Sequence, residues 1–219
     1  ACGSDDTFTT MVSALKGRSF SVAFIPLVPE QSQLATILGA SNLQAAVKAI
    51  AGRRTLMIDT ALVGDCEILT YLEFGVMSGG NPSGLLAGYR ALSQQPKDYQ
   101  IRIDNSYTMS LPCVGGMLVN MRGTTCGEDN LGQPTDGYLD LLLVEPVGAW
   151  DAFRYRSAIA SGCLEQLPGT TVIRCKSVEF LSPEHEPLTV GGKAIAKLPA
   201  TVTVQPSKLK LIVGKNRTF

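Results

Sequence analysis

The sequence predicts an α/β-plus-all-β fold, with a mixed α/β part over residues 1–62 and a β-rich part over 63–219. Three observations predict it. Helical periodicity alternates with short β-branched runs up to about residue 60, the texture of a parallel α/β layer. From Cys66 onward, short apolar segments recur between turn residues, the spacing of an antiparallel sandwich or barrel. A chain of 219 residues at 45% hydrophobic content buries a core of its own, and no apolar run approaches the roughly 18–20 residues of a membrane span.

Phe8, Met11, Val12 and Leu15 form one apolar helical stripe, entered through Asp5-Asp6-Thr7. Ser21 to Leu27 reads as a strand that stops between Pro26 and Pro29. Gln31 to Leu38 reads as a second helix. Ser41 caps a third, with Leu43, Ala46, Val47 and Ile50 on one face and Gly52 just past its end. Thr55 to Ile58 is again a strand. The β-rich part offers Ile68–Leu72, Tyr99–Asp104, Tyr107–Leu111, Met117–Asn120, Leu139–Val144, Thr171–Arg174, Val178–Leu181, Ala200–Val204 and Leu209–Val213. Two helices interrupt it, one through Leu85, Leu86, Tyr89 and Leu92 and one through Trp150, Phe153 and Ile159.

Nineteen basic residues balance nineteen acidic ones, which removes the broad electrostatic footprint of a nucleic-acid binder. Six scattered cysteines with no C-x-x-C pair read as free buried thiols, and the compartment as intracellular. The only histidine, His185, lies in a polar loop between Glu184 and Glu186, so a histidine-centred catalytic or metal site has little support. Met77 to Gly84 is glycine-rich but lacks the spacing and the lysine of a phosphate loop, and it reads as a connection capped by Ser83. Lys208, Lys210, Lys215 and Arg217 give the C-terminus a basic bias, either one wet strand face or a membrane or partner contact. Asn216-Arg217-Thr218 has the form of a glycosylation acceptor and is common by chance.

The order of segments resembles the diacylglycerol kinase catalytic family, which includes sphingosine and other lipid kinases. The clearest stretch is Leu131 to Val144, where Asp136, Gly137, Leu139 and Asp140 match a D-G-x-L-D strand entry. Pro26-Leu27, Leu38-Gly39, Ile58-Asp59, Phe74-Gly75 and Leu198-Pro199 fall in the family's order. The resemblance implies a nucleotide-binding α/β domain joined to a lipid-binding β-sandwich. In that family a glycine-rich turn follows earlier βα units, so a chain that opens on this turn reads as lacking the front of the kinase domain.

The resembled signatures are all altered. The G-G-D-G-T turn appears as Gly3-Ser4-Asp5-Asp6-Thr7, where Asp6 puts a carboxylate in the place of a phosphate. The G-T-G-N-D turn is replaced by Val28-Pro29-Glu30-Gln31-Ser32, which loses one backbone donor and gains a negative charge. The acidic D-G-E turn aligns with Gly191-Gly192-Lys193, where a cation can neither accept a hydroxyl proton nor coordinate magnesium. Asp5 reads either as a remaining metal-organising carboxylate or as a helix N-terminal charge. By the resemblance Asp136 holds a structural magnesium; on the residues alone it is equally a plain turn carboxylate.

The expectation is therefore a catalytically inactive lipid-kinase-like protein. It would be an accessory subunit bound to other protein chains of a larger assembly, with no cofactor and with a mitochondrion among the candidate locations. The alternative is an active kinase that uses ATP and magnesium to phosphorylate a diacylglycerol-like or sphingoid hydroxyl. A third reading is a lipid-binding module without chemistry.

Overall fold

The computed structural model describes residues 1–15, 20–79, 89, 92–123, 131–161 and 163–219. Strand β1 (Cys2–Gly3) feeds helix α1 (Asp5–Ala14), followed by β2 (Ser21–Val22) and β3 (Ile25–Pro26). β1 and β3 pair in parallel, while β2 joins a different sheet beside the C-terminal strand. The single strand expected over Ser21–Leu27 is thus two, split where the chain crosses between sheets at Ala23 and Phe24. Phe24 stacks in the core on Phe8, ring centroids 5.0 Å apart. A 3-10 turn (Pro29–Gln31) precedes α2 (Gln33–Ile37), and α3 (Leu43–Gly52) follows.

Phe8 and Val12 are buried, as their spacing predicts. Of the apolar face of α3 only Ala46 is buried, while Leu43 and Val47 are 59% and 53% exposed. Periodicity reveals that a helix has an apolar face, not what that face meets. The N-cap is also one residue later than expected, because the Asn42 side chain accepts the Ala45 N–H at 2.8 Å. Gly52 is the last helical residue, and Arg53 takes the left-handed cap position.

The remaining strands are β4 (Thr55–Val63), β5 (Cys66–Ile68), β6 (Tyr71–Gly75), β7 (Lys97–Ile103), β8 (Tyr107–Cys113), β9 (Gly115–Val119) and β10 (Leu139–Val144). Helices α4 (Ala149–Arg154) and α5 (Arg156–Ser161) separate these from β11 (Thr170–Cys175), β12 (Ser177–Ser182), β13 (Pro187–Val190), β14 (Lys193–Lys197) and β15 (Ala200–Ile212). Among the described residues, one sheet runs β11-β10-β9-β6-β13-β14 and the other β5-β4-β15-β12-β7-β8, with β2 beside β15. Every pairing in the two sheets is antiparallel except β2 with β15. The fold is a mixed α/β N-terminal region followed by an antiparallel sandwich.

Three apolar cores follow from this layering. Phe74, Tyr99, Ile101, Leu141, Phe180 and Val202 fill the space between the two sheets. Leu142 and Val144 point to the opposite face, where Ala152, Ile159 and Leu164 cover them. This two-sided burial is why β10 reads as an unbroken apolar run. The third core places α1 and α2 on Ile58, Leu209 and Leu211. At Gly116 a Cβ would lie 1.9 Å from the Leu142 carbonyl oxygen, so only glycine lets β9 and β10 approach this closely.

Several expectations change in detail. Ile68–Leu72 is interrupted at Leu69-Thr70, where the chain passes from one sheet to the other. The two expected C-terminal strands are one, β15, whose register shifts between Gln205 and Leu209. The second helix of the β-rich part breaks at Tyr155. The helix expected around Leu85 and its Ser83 cap lie mostly outside the described residues, as does Cys126. Cys113 and Cys175 are free and buried, but Cys2 and Cys66 are exposed and Cys163 is disulfide-bonded. The uniform reading of free buried thiols is thereby corrected; sequence spacing alone carries no pairing information here.

Candidate functional site

Side-chain contacts join the three altered turns, Asp5 to Ser32 and Asp6 to Lys193. Gly3 ends β1, and Ser4 caps α1 by accepting the Thr7 N–H at 3.3 Å. Asp5 follows, and its carboxylate reaches across to the start of α2. It accepts the Ser32 hydroxyl proton and, at 3.1 Å, the Leu34 N–H. Ser32 in turn caps α2 by accepting from the Ala35 N–H at 2.9 Å. The two helix N-termini are thus tied through one carboxylate, which satisfies donors that have no partner within their own helix.

Asp6 lies one residue further on and faces outward, where it pairs with Lys193. Lys193 opens β14 directly after the Gly191-Gly192 turn. That turn is a two-residue hairpin, since Val190 pairs with Lys193 and both glycines have positive φ, +55° and +77°. A hairpin of this form calls for residues that tolerate left-handed backbone at both positions, so glycine is held here by the turn itself.

Behind the turn sits Glu73, on β6 opposite Thr189 of β13. Its side chain is buried, takes a hydrogen bond from the Gly192 N–H, and leaves Oε2 without a protein partner. Burial pushes the carboxyl up to about 7, with the Gly192 N–H pulling the other way. Tyr71, two residues earlier on the same strand face, donates its hydroxyl to Gln33 Oε1 at 3.2 Å. Its phenol is held above the ordinary range, first by burial and then by the neighbouring Glu73.

Ser32, Gln33, Tyr71 and Glu73 line a cavity of about 600 Å³, with Asp5, Asp6 and Lys193 outside its lining. Glu30, Gln31, Ser32 and Gln33 form one wall, and Tyr71 and Glu73 another. Met77, Met117 and Leu164 supply an apolar side. Arg122 also lines it, bonded to Glu165 at 3.0 Å with both side chains largely buried. The cavity therefore has a carboxylate-bearing polar end and an apolar end, suited to an amphiphile with a hydrogen-bonding head.

The positions read from sequence thus fall together: Asp5 with Ser32, Asp6 with Lys193, and Gly192 with Glu73. Asp136 lies apart, in the turn before β10. One carboxylate oxygen accepts the Tyr138 N–H at 2.9 Å and the other pairs with Arg174. Among the described residues no three acidic, histidine or cysteine side chains converge there or elsewhere, and a guanidinium already holds Asp136. Sequence reading missed Glu73 and Tyr71. Their signal was the alternation with Leu72 and Phe74, which marks both as facing the other side of β6.

Similarity to known proteins agrees with this architecture. The family described as the YegS C-terminal NAD kinase beta sandwich-like domain matches residues 85–213, more than half of the chain. Two crystal structures of proteins described as diacylglycerol kinases from Bacillus anthracis str. Sterne superpose with TM-scores of 0.77 and 0.72, at 16% and 15% identity. Each comparison covers 99% of this chain and 76% of the other. An NAD kinase from Archaeoglobus fulgidus in complex with ATP superposes with a TM-score of 0.57 at 13% identity, covering 99% of this chain and 78% of that one. No curated protein matches by sequence. With its sandwich matched by that profile and its fold shared with lipid and NAD kinases, the chain belongs to the family of YegS C-terminal NAD kinase beta sandwich-like domains.

Proposed function

We propose that this protein is a catalytically inactive member of the lipid-kinase-like fold and acts as an accessory subunit bound to other protein chains. The observation that carries the reading is the Asp6–Lys193 ion pair. In the lipid kinases that the sequence resembles, the first turn receives phosphates and the second supplies acid to the metal and the phosphoryl group. Here the first turn has gained an acid, the second has gained a base, and the two neutralise each other. Glu30 adds another negative charge on the same wall, and Pro29 offers no N–H. Triphosphate oxygens would meet carboxylates where phosphoryl transfer needs donors and metal-held charge. Asp5 is engaged in joining two helix ends and is not left free to organise a metal.

Calorimetric titration of the full chain with MgATP tests this directly. No binding heat is expected up to millimolar nucleotide, and micromolar binding overturns the proposal.

One observation favours a second reading, an active kinase. Glu73 is a buried acid beside Gly192 with one oxygen unpaired and a pKa raised to about 7, the properties of a general base. In that reading Glu73 accepts the proton of a lipid hydroxyl while its oxygen takes the γ-phosphoryl group of ATP, releasing ADP. Thermal stabilisation by MgATP, kept in Glu73→Gln, and transfer of labelled phosphate to diacylglycerol, lost in that variant, are the results this second reading requires. The apolar wall of Met77, Met117 and Leu164 also suits a lipid tail without any chemistry, and extraction of bound lipid from purified protein checks that.

A further inference from the structure

The basic C-terminus plays no part in the cleft, and it belongs to a wider surface. From Asn42 to Ile58, and again from Pro206 to Phe219, the sequence has no acidic residue. β4 and β15 set these two segments side by side. Lys210 lies opposite Met57 and Ile212 opposite Thr55, and the Val213 N–H donates to the Arg54 carbonyl at 2.9 Å. On its other side Lys210 faces Ser21 of β2, next to Phe20. Leu56, Leu209 and Leu211 turn inward to the core, so the alternate positions Met57 and Lys210 face out.

The outcome is a basic surface on these two segments, with Lys48, Arg53, Arg54, Lys208, Lys210 and Lys215 all exposed. Among the described residues none of the six is in an ion pair. In a chain of zero net charge this is a strong local asymmetry. An apolar side chain stands among the cations: Met57, opposite Lys210, is 46% exposed. The uncovered stripe of α3, Leu43 and Val47, precedes Lys48, Arg53 and Arg54 on the same segment.

Two chemistries attract such a face, and composition separates them. Protein interface cores are depleted in lysine, and four of these six cations are lysines. Apolar side chains interleaved with Lys and Arg suit a lipid surface, where the former enter the headgroup boundary and the latter stay with the phosphates. We propose that this face docks on an anionic lipid bilayer. The proposal stands apart from the state of the kinase-like cleft, and either can fail without the other.

Co-sedimentation of the full chain with phosphatidylcholine vesicles, with and without phosphatidylserine, tests it. Binding is expected only to the anionic vesicles and should weaken as salt is raised. The double variant Lys208→Gln/Lys210→Gln, checked for native far-UV circular dichroism, should partition about 25-fold more weakly, from roughly fivefold per basic side chain near an anionic surface. Met57→Ser should weaken binding while leaving its salt dependence unchanged. Trp150 lies on α4, in the layer covering the outer face of the other sheet, so its emission should not shift on binding. Absence of binding, equal binding to both vesicles, or a blue shift of Trp150 overturns the proposal. Retention on polyglutamate without retention on vesicles would assign the face to an acidic protein and overturn it as well.

Discussion

Replacing Glu73 with glutamine removes one charge from the cleft while keeping the shape of the side chain. In the folded protein this carboxyl is 4% exposed, has one oxygen unpaired, and is pushed up to about 7. Its ordinary value is 4.5. The folded state therefore binds the Glu73 proton more tightly than the unfolded state does. The resulting stability is complete below about pH 4.5 and is lost as pH rises through about 7. At about 1.4 kcal/mol for each tenfold change, the ceiling on that loss is about 3 kcal/mol. Water entering the cleft screens the charge and brings the working value to about 2 kcal/mol. Glutamine cannot ionise and still offers an oxygen to the Gly192 N–H. Urea unfolding followed by far-UV circular dichroism should give matching stabilities for the two proteins at about pH 5, within about 0.5 kcal/mol. At about pH 8 the variant should be more stable by about 2 kcal/mol, which is roughly 4–8 °C in Tm for a chain of this size. A difference that does not change with pH, or a variant less stable at about pH 8, would refute the reasoning.

Two further substitutions probe the turns around the cleft. Asp5→Ala deprives Ser32 and the Leu34 N–H of their acceptor and should cost about 1–3 kcal/mol in chemical denaturation, whereas an unchanged midpoint would show that the helix ends are not held by this carboxylate. Gly191→Ala puts a Cβ into open space but onto a left-handed backbone at φ +55°, so strain alone should lower stability by about 1–2 kcal/mol, read from the same denaturation curves.

Much of the fold could be read from local pattern. The α1 stripe and the β10 run are strong because each buries a continuous apolar surface that the chain itself supplies. What escaped depends on distant partners. β14 ends a sheet and has no fully buried residue, so its sequence lacks the alternation of a half-buried strand. Pro206-Ser207 looks like a turn but sits at the register shift inside β15, held by the Ser207 N–H donating to Asp59 at 2.7 Å. The cleft was legible in part. Asp6 and Lys193 could each be seen to carry the wrong charge for a kinase, but their pairing joins positions 187 residues apart. Glu73 could not be recognised as a cleft residue until β13 was laid beside β6, bringing Gly192 to its carboxylate.

β15 also sets the order in which the chain can fold. Among the described residues this strand, from Ala200 to Ile212, lies between β4 and β12 and pairs along almost all of β4. The whole stretch between residues 64 and 199 must be synthesised before β4 gains its main partner. Until then β4 and β12 each present an open, apolar strand edge, and α1 and α2 lack the Leu209–Leu211 floor on which they rest. Completion of the sheet is thus a late, long-range event, slow by the topology of its contacts. That interval leaves the β4 and β12 edges open to mispairing.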